Sequence, residues 1–586
     1  NYGDNTRWQD EIFRQAISND HNISLSGGTE KSTYHASFNY TDQQGIIKKS
    51  DLKRYAGRLN LTQSALNNIF SFETNLNGSQ VVENRVPVGA TGFEGDLLLN
   101  SLQANPTWPT YDSTGRPFQG TKTSPFASND RNPIAMLEYT SDLTRTTTLL
   151  GNIAASINIT SYFNYKINFG MNYINANRFI NQSQRLSYMT ATNGSGQINN
   201  KELYNYLIEH TLNFSKNFGN QSLTALVGYS YQYFTVRGSN MSGGGYATDG
   251  ILYTNKIGSG LNTYTSISSY FDNYKMQSYL GRLNYNFLEK YLITATIRID
   301  GSSKFGTNKK YGTFPSFAGA WRASEEDFIK NLNFFSNLKV RVGWGQTGNS
   351  EIGTKNSKYL YSTDNQSKAI IDDAPIIGLK ISRTPNPDIT WETTTSTNLG
   401  IDYGILKGKI SGSIDYFVKN TTNLLLEVPA PPGSPTSTVV KNIDSCVIVN
   451  KGWEFSTTFL PLIGNFKWEI TANLTFINNE VKNLPVKQYQ TGSAQGQGLT
   501  GAYAQIITSG QPLNVFYGYK VDSISPKGAV VYVKGFNKKD TLMYLGDPYP
   551  DFTWSLNNTF KWKNFDLTIF IEGVHGNKIF NNTALL

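Results

Sequence analysis

The stretch FKWEITANLTF, Phe466–Phe476, decides how this chain is read. Its even positions are Phe466, Trp468, Ile470, Ala472, Leu474 and Phe476, and its odd positions are Lys467, Glu469, Thr471, Asn473 and Thr475. A strict period of two places the apolar set on one face of a β-strand and the polar set on the other. A soluble strand averages about 5–6 residues, whereas a tilted strand crossing a bilayer needs roughly 9–11. The run matches the second figure.

The same alternation recurs along the chain. Tyr165, Ile167, Phe169, Met171 and Tyr173 oppose Lys166, Asn168 and Asn172. Tyr291, Ile293, Ala295, Ile297 and Ile299 oppose Thr294, Thr296, Arg298 and Asp300. Leu338, Val340, Val342 and Trp344 oppose Lys339 and Arg341, and Phe565, Leu567, Ile569 and Ile571 oppose Asp566, Thr568 and Glu572. Tight turns are expected at Phe287–Lys290, Gly404–Gly408, Pro461–Asn465 and Lys561–Asn564. Long polar segments at Val82–Leu143, Gly238–Tyr274, Thr347–Pro385 and Lys482–Leu513 separate the strand pairs. Short turns at one rim and long loops at the other are the asymmetry of outer-membrane barrels. Trp321, Trp344, Trp453, Trp468, Trp554 and Trp562 fall near strand ends, where an interfacial aromatic girdle sits. The pattern yields roughly 18–20 strands. The expected fold is all-β, a large antiparallel transmembrane β-barrel occupying residues 1–586 as one domain. A barrel of that size cannot fill its lumen with side chains and holds water or a plug.

Composition agrees. Charged residues make up 16%, below the roughly 25% of soluble domains. Mean hydropathy is −0.40, and no run approaches the ~20 apolar residues of a spanning helix. The net charge of +9 raises the question of nucleic acid, but the basic residues are scattered singly along strands, and doublets such as Lys48-Lys49, Lys309-Lys310 and Lys538-Lys539 lie in turn-like stretches. No nucleic-acid partner is expected; contact with outer-membrane lipid is. The single cysteine, Cys446, permits no internal disulfide and reads as a lone buried or loop thiol. His21, His35, His210 and His575 lack metal-ligand spacing, so no metal or cofactor is expected. There is no Gly-x-Ser-x-Gly elbow, Walker loop or His-Glu-x-x-His, and pairs such as Glu325-Glu326 and Asp372-Asp373 read as solvated loop carboxylates. The chain is expected not to be an enzyme.

The segment YLITATIRIDGSSKFGTNKKYGTFPSFAGAWRASEEDF, Tyr291–Phe328, resembles the barrel signature of TonB-dependent outer-membrane transporters, especially the SusC/RagA family of Bacteroidetes. NTRWQDEIFR (Asn5–Arg14), HNISLSGGTEKSTYHASFNYTDQQGII (His21–Ile47), LKVRVGWGQTGN (Leu338–Asn349), NPDITWETTTSTNLGIDY (Asn386–Tyr403), NKGWEFS (Asn450–Ser456) and GDPYPDFTWSLNNTF (Gly546–Phe560) resemble the same family, in its order and from end to end. The resemblance implies a barrel of the 22-strand type in a Gram-negative outer membrane, with an N-terminal plug, a TonB-box segment and final strands that fall outside these 586 residues. It implies import of a bulky nutrient, an oligosaccharide or a peptide, energised by the TonB complex through a segment not in this chain. It also implies a SusD-like surface lipoprotein as partner and a dimer of transporter–lipoprotein pairs. The alternatives are a barrel kept as a structural subunit of a larger envelope assembly, without transport, and a passive porin, against which the family motifs argue. Where the family often carries an acidic turn, this chain reads VKGFNKKDTLMYLGD (Val533–Asp547), and no bound cation is expected there.

Two motifs have a plain structural reading. In DGSSKFG, Asp300 and Ser302 are expected to bond nearby backbone N–H groups, and Gly301 and Gly306 to accept positive φ. GQTGN (Gly345–Asn349) reads as a strand-end turn. The ligand candidates are aromatic residues in the expected extracellular loops: Trp108 and Tyr111, then Tyr264, Tyr270, Phe271 and Tyr274, then Tyr359 and Tyr361. Aromatic faces beside Asn, Asp and Ser stack on sugar rings or hold peptide backbones. Packing of the loops on one another or on a partner is the competing reading.

Overall fold

The computed structural model describes residues 3–89, 96–119, 131–189, 191–494, 499–534 and 541–582. Eighteen strands belong to one antiparallel sheet. They are β1 (Ser18–Gly28), β2 (Ser32–Gln44), β3 (Asp51–Ala65), β4 (Phe70–Arg85), β5 (Thr140–Asn158), β6 (Phe163–Gln182), β7 (Ser195–Phe218), β8 (Gln221–Gly244) and β9 (Ser266–Phe287), followed by β10 (Tyr291–Ser302), β11 (Tyr311–Arg322), β12 (Phe335–Asn349), β13 (Glu392–Ile405), β14 (Ile410–Thr422), β15 (Val447–Ile463), β16 (Phe466–Lys482), β17 (Phe552–Trp562) and β18 (Phe565–His575). By compactness the chain divides into one unit of Asn1–His210 with Ser230–Lys275 and a second of Thr211–Tyr229 with Met276–Leu586.

In the first unit, β1 to β6 pair in sequence order, and the register carries one row of side chains straight across the sheet. Ala36 lies opposite Leu59, Leu59 opposite Leu76, Leu76 opposite Gly151, and Gly151 opposite Met171. The alternate positions give Asn60 opposite Asn75, Asn75 opposite Asn152, and Asn152 opposite Gly170, with Asn168 diagonal to Asn152. One face is therefore apolar and the other amide-rich. On the apolar face Ile23, Leu25, Phe38 and Leu59 are exposed, an arrangement stable against hydrocarbon and costly against water.

The second unit repeats this rule. Ile297 pairs with Pro315, Phe317 with Trp344, Val342 with Leu399, Ile401 with Ile414, Phe455 with Leu474 and Leu556 with Ile571. All six tryptophans expected in a girdle lie on this apolar face, in two rows. Trp321, Trp468 and Trp562 lie toward the short turns, with Phe466 and Phe560 packed on Trp468 or its neighbours. Trp344, Trp453 and Trp554 lie toward the loops, where Trp453 packs on Tyr416 at 4.8 Å between ring centroids.

Connections alternate as the sequence implies, with adjusted boundaries. Turns span residues 288–290, 406–409, 464–465 and 563–564, so Pro461 belongs to β15 and not to a turn. The long segments are shorter as loops than expected because strands invade them. β8 runs to Gly244 and β9 starts at Ser266, while Leu360–Ile371 pairs with Ala374–Arg383 as a hairpin inside the segment after β12. Strands β7 and β8 have 24 residues each, roughly 80 Å along the chain at about 3.3 Å per residue, far more than an apolar band about 25 Å tall requires.

The loops of each unit have their own cores. In the first unit, Trp8, Ala104, Trp108 and Ile134 pack with Phe118, and Ile12, Leu97, Met136 and Leu137 form a second cluster. The segment at residues 6–13 is tied to this loop by Trp8 Nε1, which donates to the Asn105 carbonyl at 3.0 Å. Asn132 caps the helix Pro133–Glu138 by accepting from the Ile134 and Ala135 N–H groups, with proline at the first helical position.

In the second unit, the DGSSKFG motif proves to be part of a core. Phe305 is 1% exposed and packs on Trp391 at 4.7 Å between centroids, with Phe314 and Ile389 completing the cluster. Gly301 and Gly306 are not in positive φ, contrary to the expectation. They are needed for space: a Cβ on Gly306 would lie 1.7 Å from the Pro387 carbonyl oxygen, and one on Gly301 would lie 2.4 Å from the Tyr311 ring. GQTGN is likewise strand, the end of β12, where a Cβ on Gly348 would lie 2.1 Å from the Phe314 ring. Gly306→Ala is therefore expected to destabilise this loop by about 1–3 kcal/mol or more through overpacking. Limited proteolysis of the folded protein is the check: cleavage near residues 303–310 should accelerate, and an unchanged pattern would refute the contact.

Candidate functional site

The polar face is the chemically differentiated surface. In the second unit it is charged. The Arg341 guanidinium on β12 donates to Asp402 on β13 at 2.7 Å and to Asp415 on β14 at 3.1 Å, so one cation bridges two carboxylates on adjacent strands. Lys339 Nζ lies 3.8 Å from Asp402. On β10, Arg298 Nε donates to both oxygens of Asp300 at 2.8 Å, and its Nη2 donates to Ser278 Oγ on β9 at 3.0 Å. These pairs are partly solvated, so each contributes little alone, and they orient a wall facing water.

In the first unit the polar face carries a run of amides beside ion pairs such as Arg178–Asp142 at 2.5 Å. Asn75 Nδ2 donates to Asn152 Oδ1 at 3.2 Å, Asn152 Nδ2 to Asn168 Oδ1 at 3.2 Å, and Asn168 Nδ2 to Glu209 Oε2 at 3.1 Å. A nearby ion pair, Lys166–Glu73 at 2.8 Å, spans the strand that carries the buried Ala154. Sequence reading placed Lys166 and Asn168 on a polar strand face but named none of these residues as a site candidate. Their signal is asparagine recurring at polar positions of neighbouring strands, and only the register shows that they meet.

The aromatic candidates separate on inspection. Trp108 is 7% exposed and spent on the loop core, so it is withdrawn from the set of exposed ligand contacts. Tyr111 is exposed and its O–H donates to Glu138 Oε1 at 2.8 Å. That bond to a carboxylate, then burial, pushes the phenol up to about 12. Tyr264 closes a short helical turn, and its O–H donates to the Ala191 carbonyl at 3.0 Å. Tyr270, Phe271 and Tyr274 are not loop residues as expected but belong to β9. Tyr274 stacks on Phe234 of β8 at 4.4 Å and 11° between planes. Tyr359 is exposed just before the hairpin strand Leu360–Ile371, and Tyr361 is exposed on that strand. The eight residues thus form no single site: Tyr274 joins the polar wall, Trp108 a core, and the others separate exposed positions.

In the loop after β8, Asp249 accepts from Ser183 Oγ at 2.7 Å and from Tyr253. Burial and that bond push the Tyr253 phenol up to about 12. Cys446 is fully buried with Leu424 and Val481, and burial raises its thiol. The segment Val533–Asp547, where no cation is expected, includes residues 535–540, which lie outside the described residues.

A family model described as "TonB dependent receptor-like, beta-barrel" matches residues 75–571. TonB-dependent receptor P3 of Formosa agariphila is 28% identical over 610 residues, covering 99% of this chain and 59% of that protein. TonB-dependent receptor SusC of Bacteroides thetaiotaomicron is 30% identical over 518 residues, covering 82% of this chain and 48% of that protein. The chain spans about half to three-fifths of the length of these curated relatives. A solved structure of the RagAB peptide transporter matches with a TM-score of 0.82 at 22% identity, covering 97% of this chain and 63% of that one. The likeness carries the fold, a large antiparallel transmembrane β-barrel, and the eighteen sheet strands fall within the count expected from alternation.

Proposed function

Because the chain belongs to the TonB-dependent receptor β-barrel family, on its SusC/RagA side, we propose that it is the barrel wall of an outer-membrane importer for a bulky nutrient, an oligosaccharide or a peptide. The observation that carries this reading is the family match over residues 75–571, on a sheet whose strands keep one apolar and one polar face throughout. The apolar face meets outer-membrane lipid across many strands, and the polar face lines a passage too wide for side chains to fill. The long loops, built on cores such as Phe305–Trp391, form the rim on which a SusD-like surface lipoprotein sits, with transporter–lipoprotein pairs associating as dimers. The TonB complex supplies energy through a segment outside these residues.

Affinity purification of the full-length protein from native outer membranes is expected to bring down a surface lipoprotein, in a particle twice the mass of one pair. Nutrient uptake by the producing strain is expected to fall at least tenfold when this gene or TonB is deleted. Purification without a second subunit would remove the lipoprotein from the proposal. Undiminished uptake after deletion, with a disturbed envelope, would favour a structural subunit.

A further inference from the structure

The asparagine ladder borders an open cavity of about 530 Å³ on the polar face of the first unit. Asn75, Asn152 and Asn168 line it from β4, β5 and β6, and Leu150, Leu207 and Phe234 supply apolar surface from β5, β7 and β8. The ladder runs in one direction. Asn152 accepts from Asn75 and donates to Asn168, and Asn168 passes its own N–H to the Glu209 carboxylate. A primary amide offers two donors and two acceptor lone pairs. The ladder takes one of each from Asn152 and Asn168 and fixes both amides, so each retains a second donor and a second acceptor lone pair beside the cavity they line. Phe234 is held by its stack on Tyr274, which presents a rigid apolar platform beside the amides.

We infer that this wall pocket is a subsite for an uncharged, hydroxyl-rich chain, a neutral oligosaccharide. A hydroxyl both donates and accepts, matching an amide that offers both. The C–H faces of a pyranose bury against an aromatic ring and leucine methyls. A volume of about 530 Å³ lies within the range of about 300–1,000 Å³ typical of small-molecule sites. Arg58 lines the cavity with its Nε donating to Asn60 Oδ1 at 3.3 Å, and Glu209 accepts from the ladder. The inference rests on the import reading only in that the polar face lines the passage. It places a selectivity element on the barrel wall in addition to any loop contacts.

Saturation-transfer NMR tests it on full-length protein purified in detergent with whatever subunits accompany it. The probes are maltohexaose, cellohexaose, mannohexaose and xylohexaose as neutral chains, hexagalacturonate as an anionic chain and hexaalanine as a peptide. The expected result is saturation of at least one neutral sugar, weakened at least tenfold in Asn168→Leu and in Phe234→Ala. Gln232→Ala, which removes a lining amide outside the ladder, serves if the ladder variants fail to fold. Its expected loss is at least threefold. Heat-modifiable mobility confirms that each variant has folded. No saturation of any neutral probe, stronger saturation of the uronate or peptide, or signals unchanged in folded variants would overturn the subsite. TonB-dependent uptake is measured separately, so a failed subsite with intact uptake leaves the import reading standing.

Discussion

Replacing Ile470 and Ala472 together by lysine is expected to abolish assembly of the barrel. Both side chains lie on the apolar face of β16. Ile470 lies opposite Phe459 of β15 and Asn558 of β17, and Ala472 opposite Thr457 and Leu556. They sit between the two tryptophan rows, with Trp468 on one side and Trp554 of the neighbouring strand on the other. That is the middle of the apolar band, where a lysine costs roughly 2–4 kcal/mol, so the pair costs about 4–8 kcal/mol. This is comparable with the whole stability of many proteins. The check is electrophoresis of outer-membrane fractions with and without heating. The folded, fast-migrating form should vanish. The matched control is Thr471→Lys with Asn473→Lys, which carries the same charge on the same strand but on the polar face, and it is expected to assemble. Wild-type mobility for the first variant would refute the lipid-facing assignment of β16.

The second large effect is expected from Phe305→Ala or Trp391→Ala. Phe305, Phe314, Ile389 and Trp391 form a core above the strand ends, joining the connection after β10 to the segment before β13. Trp391 Nε1 also donates to the Lys310 carbonyl at 3.0 Å, and the Gly306 N–H donates to the Ile389 carbonyl at 3.0 Å. Truncating a buried aromatic to alanine costs about 3–5 kcal/mol through lost transfer energy and the cavity left behind. The sheet is held by its own backbone ladder, so the expected consequence is local opening of the loops with the strands intact. Hydrogen exchange at residues 303–310 and 386–391 should rise by at least a hundredfold while exchange in β12 and β13 is unchanged. Unaltered exchange in the loops would show that the core contributes little, and simultaneous loss of strand protection would show that loops and sheet unfold as one.

Much of the fold was legible because its signal is local. Side-chain direction alternates with each residue, so a run such as Phe565, Leu567, Ile569 and Ile571 announces its two faces without knowledge of its partners. The girdle tryptophans were legible for the same reason, since each falls in phase with the apolar set of its strand. Turn positions came within one to three residues because tight reversals need residues tolerant of positive φ. The one at Gly408 (φ 82°) shows the expected chemistry, whereas Leu288 (φ 58°) shows that a turn between long paired strands imposes it on an unfavourable residue.

What was misread needed distance in sequence. Gly306 and Gly348 look like turn residues, and only packing shows that a carbonyl and a ring occupy the space of their missing side chains. Trp108 looks like a displayed aromatic because its neighbours are polar, yet it is buried against Trp8, a hundred positions away. Tyr270, Phe271 and Tyr274 look like loop residues because β9 runs far past the length a bilayer needs, with Tyr274 stacked on Phe234 of β8.

The sequence by itself determined that these strands are two-faced, long enough to cross a membrane and ordered as in one family, since alternation and motif order are written along a single chain. The tertiary structure alone decided which polar residues act together. Asn75 and Asn152 are 77 positions apart, and a register shift of one residue would turn either of them to the other face. The ladder, the bridged pair at Arg341 and the core at Trp391 therefore depend on register and packing, which are set by the whole sheet and not by any one strand.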